Sequence, residues 1–421
     1  MILCLSLSIT GAANAARNKW RPGNPSSPFT LSIESGYQQS ESGQYQAGTK
    51  VHIMAAYPGD GSVFKGWKGS GKRYLENPRA QRTTLTMPRK NINLRATYAE
   101  AEAWEAEYLE IPTTYGTAET PGISPVYYHV PSRCKGIIIF CHGTGGRAQS
   151  TQLKLEYKIF LRMAAKIGYG YFSTSSHERG PDARWENTVP GLPLAETTPN
   201  PNKDVQNIKD IIAQMQNERI IPQNTNFFSL GISQGSSFAS ILSFFFQHKA
   251  ASFNIASGLT GYVQHAQYET PSIICLAAND SIVGETGEQK TDQNILALQA
   301  KNIPCEKHVS EAQPVYPLRF MVIKETDPSF TEADSRAIHE VLKANGIIDA
   351  NNMIVATGDQ VKSFLTNTLP EQYKDKWKDI KATLTICMAD HEFNSDNAVE
   401  ILSFFKQNTP NRWGFPGDGG M

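Results

Sequence analysis

Three residues, Ser233, Asp280 and His391, have the types and the chain order for nucleophilic acyl chemistry. A serine hydroxyl is a weak nucleophile at neutral pH. It attacks a carbonyl when a nearby imidazole takes its proton, and that imidazole needs a carboxylate to fix its tautomer and stabilise its charged form. Ser233 sits in Gly231-Ile232-Ser233-Gln234-Gly235, a G-x-S-x-G run. The run follows the apolar segment from Asn226 to Leu230 at once and opens the apolar-periodic stretch from Ser236 to Leu242. This strand–turn–helix setting, with glycine on either side of the sharp turn, is what an exposed nucleophile requires. Asp280 closes the apolar run Ile273-Ile-Cys-Leu-Ala-Ala-Asn-Asp, at the carboxyl end where parallel sheets carry their working residues. His391 lies in Met388-Ala-Asp-His-Glu-Phe-Asn, before the last helical stretch. Asp390 and Glu392 are competing carboxylates, ranked lower because a neighbour in a short loop has difficulty turning back onto the same ring.

The same chemistry needs two hydrogen-bond donors for the developing oxyanion. One is expected from the backbone of Gln234, just after the nucleophile. The other is expected from the turn Phe140-Cys141-His142-Gly143-Thr144-Gly145-Gly146, at Thr144 or Gly145. No Lys-Ser or Lys-Thr pair follows that turn, which excludes a P-loop. His142 reads as structural. The long polar segment from Ser175 to Asn202 carries His177, Arg179, Arg184 and Trp185. It reads as a pocket wall, with His177 and Trp185 as substrate-binding candidates and the two arginines as solvated.

The elements that must position these residues are short apolar runs alternating with helical stretches. The runs are Gly136–Cys141, Tyr169–Ser173, Asn226–Leu230, Phe253–Ala256, Ser272–Ala277 and Thr383–Met388. Helical periodicity covers 152–167, 203–217, 235–248, 288–301 and 396–407. Such alternation predicts a doubly wound, mainly parallel sheet covered on both faces, an α/β class.

On these motifs, residues from about 112 to 410 resemble the α/β-hydrolase superfamily, on its secreted esterase and polyester-depolymerase side. The matching elements are the H-G-T-G-G turn, the G-I-S-Q-G elbow, the A-N-D acid loop and the D-H-E-F histidine loop. The resemblance implies an acyl-enzyme on Ser233, released by water that His391 activates. It also implies a carboxylic-ester substrate: a small ester, an acylated polysaccharide or a polyester. A serine peptidase or a lipase is the alternative within the class, and a non-catalytic surface- or glycan-binding protein is the alternative outside it. One departure from the family is large: about 110 residues separate Asp280 from His391. The excess, at about 310–381, is expected to form a helical cap inserted before a final strand at 383–388, with Tyr316, Phe320 and Trp377 as candidate cleft contacts, each of a type more often found in the core.

The remaining sequence sets the context. The chain has 421 residues with 40 basic and 40 acidic side chains, so no charge excess points to nucleic acid. Residues 1–15 read as a secretory signal ending in Ala13-Asn14-Ala15, although no Lys or Arg stands near Met1. Residues 16–28 are a proline-bearing linker, 29–99 a small antiparallel β module, and 111–410 the catalytic domain. The module's run of G-Y, A-G-T-K-V-x-I-x-A, F-K-G-W-K-G, L-T-M-P and L-R-A-T-Y resembles the extracellular bacterial repeats of the internalin B-repeat type. Together these place the chain outside the cytoplasm, secreted, periplasmic or on the cell surface, with cell-surface or glycan contact through the module. Phe64 and Trp67 are expected in the module's core, because a domain this small must bury its large side chains. Cys134 and Cys141 flank a straight strand and cannot bridge across it. No C-x-x-C or H-E-x-x-H motif occurs, so neither metal nor cofactor is expected.

Overall fold

The computed structural model describes residues 28–34, 42–58, 61–101, 105–189 and 202–409. The expected signal and nearly all of the linker lie outside the described residues. The N-terminal module contains β1 (Phe29–Glu34), β2 (Gly43–Tyr45), β3 (Lys50–Met54), β4 (Ser62–Lys68), β5 (Arg82–Thr86) and β6 (Ile92–Glu100). A four-stranded sheet runs β2-β1-β6-β4, and β3 pairs with β5 beside it. The module is not wholly antiparallel as its alternation predicts: β1 and β6 pair in parallel. They are its first and last strands, and the four strands between them supply the long crossover that a parallel pair needs. Leu31, Ile33, Val51, Leu85, Leu94 and Trp67 fill the core, with Phe64 edge-on to Trp67 at 5.7 Å. The Trp67 indole N–H donates to the Ala80 carbonyl at 3.0 Å, so the ring is buried with its polar atom satisfied.

The larger domain is built on an eight-stranded sheet of β7 (Glu107–Gly116), β8 (Pro121–His129), β9 (Gly136–Cys141), β10 (Tyr169–Thr174), β11 (Phe227–Ile232), β12 (Ala250–Asn254), β13 (Ser272–Ala277) and β14 (Cys305–Ser310). The spatial order is β7-β8-β10-β9-β11-β12-β13-β14. The β7–β8 hairpin is antiparallel and joins β10 antiparallel, while β10, β9 and β11 through β14 run parallel. Every residue of β9, β10 and β12 is buried, which explains their largely apolar character.

Helices cover both faces. Phe160 and Leu161 of α1 (Leu155–Lys166) pack with Ile401 and Phe405 of the last helix on one side. Ile208 and Ile211 of α2 (Lys203–Asn217) pack with Phe238 and Ile241 of α3 (Gln234–Leu242) on the other. The chain leaves β9 for β10 on one side and returns to β11 on the other. The crevice between the ends of β9 and β11 is therefore a topological switch point, where open α/β sheets bind ligands.

After α4 (Gly284–Ala300) and β14, the insertion contains α5 (Glu332–Ala344), α6 (Gly358–Asn367) and α7 (Trp377–Cys387), and α8 (Ala398–Gln407) closes the domain. The final strand expected at 383–388 is not a strand. Residues 383–387 are the end of α7, and the insertion follows the last strand, β14, rather than preceding one. The alternation of Thr with Leu and Ile there imitates a strand. The buried set Ile380, Thr383, Leu384 and Cys387 has helical spacing. The insertion's core joins Val315, Phe320, Ile338, Phe364 and Leu384 to Leu155 and Ile159 of α1 and to Met54 of the module. Phe320 is buried in that core, Trp377 is 42% exposed, and Tyr316 lines a small cavity with Met54, Arg82 and Arg319. Of these three candidates Phe320 takes the core position that is the commoner reading for each.

A buried ion network locks the module to the larger domain. Arg82 of β5 is 7% exposed and reaches Asp396 through Nε and Glu156 of α1 through Nη2, at 3.3 Å for the latter. The Glu156 carboxylate also accepts the backbone N–H of Ser395 at 3.0 Å. Removing one member of such a set strands charge in a low-dielectric interior. Arg82→Ala is expected to destabilise the protein by about 3–5 kcal/mol, measured by urea unfolding; a loss within about 0.5 kcal/mol, as for an ordinary surface change, would refute the lock.

Candidate functional site

Ser233 falls between β11 and α3 with φ 54° and ψ −122°, a conformation that non-glycine residues avoid. The flanking glycines make it attainable. A Cβ on Gly231 would lie 2.2 Å from the Gly235 carbonyl oxygen, and one on Gly235 would lie 2.2 Å from the Cys141 carbonyl oxygen. Beneath the turn, the Ser233 N–H donates to the Asn254 carbonyl at 2.9 Å. The Ser236 hydroxyl lies 2.9 Å from the Gly231 carbonyl and accepts the Asn254 N–H at 3.0 Å.

The structure brings together the three residues that the sequence singles out. His391 Nε2 is 3.0 Å from Ser233 Oγ, and His391 Nδ1 is 2.9 Å from both oxygens of Asp280. With Nδ1 protonated and donating to Asp280, Nε2 is left to accept the serine proton. Asp280 Oδ1 also accepts the N–H groups of Ile282 (2.9 Å) and Val283 (2.8 Å). Burial works against the charged form, but the His391 bond and these two N–H groups outweigh it and hold the Asp280 carboxyl below its usual pKa. Asp280 is therefore ionised at neutral pH.

Neither Asp390 nor Glu392 reaches the imidazole. Asp390 Oδ1 instead accepts the N–H of Ser281 (2.6 Å) and of His391 (2.8 Å), joining the acid loop to the histidine loop. Asn279 reinforces the join, donating its backbone N–H to the Ala389 carbonyl and its side-chain amide to the Met388 carbonyl, both at 2.8 Å. These two positioning residues were not evident from the sequence, because their role is visible only once the two loops are adjacent.

The turn after β9 lies against Ser233: a Cβ on Gly143 would stand 3.4 Å from Ser233 Cβ. The N–H groups of Thr144 and Gln234 have no partner among the described residues. Gly145 is a correction. Its N–H donates to the Ala183 carbonyl at 2.9 Å, and at φ 68° it serves as the hinge of the turn, not as an anion donor. His142 is structural as expected. One ring nitrogen bonds the Gly143 carbonyl (2.8 Å) and the other accepts the Ser176 N–H (3.2 Å). Burial keeps it neutral, with its pKa lowered to about 3.

The polar atoms of both pocket-wall candidates are engaged within the protein. Trp185 is 3% exposed, stacked on Phe238 at 4.5 Å, with its indole N–H donating to the His142 carbonyl at 2.8 Å. It is a floor beneath the turn. The Gln234 side chain closes a two-bond ring with the Trp185 backbone, accepting its N–H and donating to its carbonyl, both at 3.0 Å. His177 has both ring nitrogens engaged, one with the Gly116 carbonyl (3.0 Å) and one with Lys203 (3.2 Å). Its backbone N–H, and that of Glu186, donate to buried Asp204. Arg179 is not solvated either: its side chain is 4% exposed and donates to the Gly146 carbonyl at 3.1 Å.

The elbow, the sheet order and the triad-like relay define the α/β-hydrolase fold in the larger domain. Residues 30–102 match the family model described as the divergent InlB B-repeat domain. Among solved structures, an α/β serine hydrolase without lid from Xanthomonas campestris is similar, at TM-score 0.35 and 10% identity, over 51% of this chain and 88% of that one. A carboxyl esterase from Bacillus coagulans gives 0.35 and 8% over 50% and 91%. A dienelactone hydrolase from Anabaena variabilis gives 0.36 and 11% over 50% and 87%. No curated protein sequence matches the chain significantly.

Two measurements test this arrangement. Asp390→Ala should slow labelling of Ser233 by a fluorophosphonate by about 10²-fold, because His391 loses an anchor; an unchanged rate would remove Asp390 from the positioning set. Burial raises the Asp204 pKa to about 7 despite its two backbone N–H donors. The folded state then holds an extra proton between the unfolded value of about 3.9 and 7, so this group's contribution to stability falls as pH rises through that window. The Tm of the wild type relative to Asp204→Asn should therefore drop from pH 5 to pH 8, and a constant difference would contradict it.

Proposed function

We propose that this chain is a serine hydrolase that cleaves carboxylic esters through an acyl-enzyme, and that it acts outside the cytoplasm. The observation that carries the reading is the continuous Asp280–His391–Ser233 relay, at 2.9 and 3.0 Å, ending on a serine held in a strained turn. In the first step Ser233 Oγ attacks the ester carbonyl carbon while His391 Nε2 takes its proton. The oxyanion is held by the N–H groups of Thr144 and Gln234, and the start of α3 adds its positive end. Collapse of the tetrahedral intermediate breaks the carbon–oxygen bond, and His391 returns the proton to the departing alkoxide. In the second step His391 deprotonates water, which attacks the acyl-enzyme. Collapse then frees the acid and returns the proton to Ser233. Asp280 stays ionised throughout and orients the ring.

The substrate class fits a small ester, an acylated polysaccharide or a polyester. The extracellular setting draws on the A-x-A signature at 13–15 and on the repeat-type module; among the described residues no helix is long and apolar enough to cross a membrane.

Hydrolysis of p-nitrophenyl acetate and butyrate tests the reading. Ser233→Ala should abolish turnover and fluorophosphonate labelling, and Asp280→Asn should lower kcat by about 10⁴-fold. Turnover that persists in Ser233→Ala would overturn the assignment.

A further inference from the structure

The chain as a whole is neutral, but its charge is not evenly spread. Between Lys65 and Arg95 there are nine basic residues against one acidic residue, Glu76. Eight of the nine are exposed, Arg82 being the buried exception. Glu76 lies 3.6 Å from Lys50, which lies outside this stretch. Two features gather the cations onto one face. Lys68 and Arg95 stand opposite each other in the β4–β6 ladder, both exposed, where like charges cost stability unless an anion joins them. The exposed Glu34 is Arg95's neighbour on β1. Beyond the end of β4, Lys72, Arg73 and Lys90 line an open groove of about 590 Å³ with Ser70 and Pro78. Arg73 and Lys90 both lie over the ring of Tyr74, at 4.9 and 5.7 Å, so two cations converge on one half-buried aromatic.

We infer that this face of the N-terminal module, centred on Lys72, Arg73 and Lys90 and extended by Lys68 and Arg95, binds an acidic polysaccharide. The field of so many unbalanced cations raises the local concentration of a polyanion. Arginine forks match carboxylates in two-bond geometry. The other classes of polyanion fit less well. None of the large apolar side chains exposed on the protein belongs to the module's described residues, and Phe64 and Trp67 are buried. Among its described residues the face therefore presents no large exposed apolar side chain to insert into a bilayer and no exposed ring on which to stack unpaired bases. The helical turn at Lys72–Tyr74 has three residues, too few to enter a DNA groove as a helix. A hydrated chain with a carboxylate on each sugar needs only cations and small polar groups, such as the exposed Ser70 and Asn93 beside the groove. The ion network through Arg82 would hold such a polymer in a fixed relation to the catalytic domain.

The test uses the full chain and polygalacturonate as the probe, with dextran and duplex DNA in parallel. Binding is followed by affinity electrophoresis, so it does not depend on ester hydrolysis and can fail separately from the proposed activity. The wild type should be retarded by polygalacturonate and not by dextran, and the retardation should weaken with salt as the Debye length shortens. Lys72→Gln/Arg73→Gln/Lys90→Gln should lower affinity about tenfold with an unchanged Tm. Lys290→Gln/Lys362→Gln/Lys378→Gln, the same charge change elsewhere, should bind as the wild type does. Wild-type affinity in the first triple variant, equal retardation by dextran, or duplex DNA bound as tightly as polygalacturonate would overturn the inference.

Discussion

The relay of Ser233, His391 and Asp280 depends on one strained residue. Ser233 takes a backbone conformation that costs on the order of 1–3 kcal/mol, and it does so because Gly231 and Gly235 allow β11, α3 and the end of β9 to approach at distances no Cβ would tolerate. The strain is held in place from below. Ser236 and Asn254 are both buried, and their mutual hydrogen bonds tie the first turn of α3 to the end of β12. Ser233 is thus raised above the sheet edge, and the helix that starts at Gln234 points its N-terminus at the serine.

From that point the supporting shell spreads outward through backbone contacts. Gln234 follows the nucleophile, and its side chain grips the Trp185 backbone, while the Trp185 ring lies under the His142 turn and bonds that residue's carbonyl. The two expected oxyanion donors therefore belong to segments joined through one glutamine and one tryptophan. On the other side of the serine, Asp390 and Asn279 join the acid and histidine loops in the same way. A relay of 2.9 to 3.0 Å contacts among residues 158 and 111 positions apart in sequence needs this kind of second layer, because neither long-range pair is positioned by its own element alone.

The sequence revealed those parts of the site whose chemistry fixes local chain geometry. The G-x-S-x-G run and the H-G-T-G-G turn are legible because glycine at those places answers a steric demand. Asp280 is legible because it ends an apolar strand. His391 meets Ser233 and Asp280 although the element before it is α7, not a strand; the alternating threonines there disguise the helical spacing of the buried face. Trp185 and His177 depart from their sequence reading for a shared reason. A polar or aromatic residue near a cleft reads as a ligand contact, whereas the indole N–H of Trp185 and both ring nitrogens of His177 are engaged by backbone carbonyls or by Lys203, and the Gly145 N–H is likewise taken by the Ala183 carbonyl. Such satisfaction depends on segments distant in sequence, and no local pattern encodes it. The parallel pairing of β1 with β6 escaped the alternation for the same reason.

The insertion and the module are best understood together. Met54 of the module, Leu155 and Ile159 of α1, and the buried faces of α5, α6 and α7 share one apolar core, and Arg82 sets a buried charge network alongside it. A binding appendage on a loose tether would need no such junction, because its local concentration would come from the linker alone. Here the module is fixed by the same α1 that covers the central sheet, and the insertion fills the space between them. This geometry accounts for the length between Asp280 and His391: the extra chain builds a joint, with α7 delivering His391 back to the sheet edge after the joint is complete. The Ser233–His391–Asp280 relay and the basic face of the module are consequently parts of one packed body, and their relative orientation is set by burial.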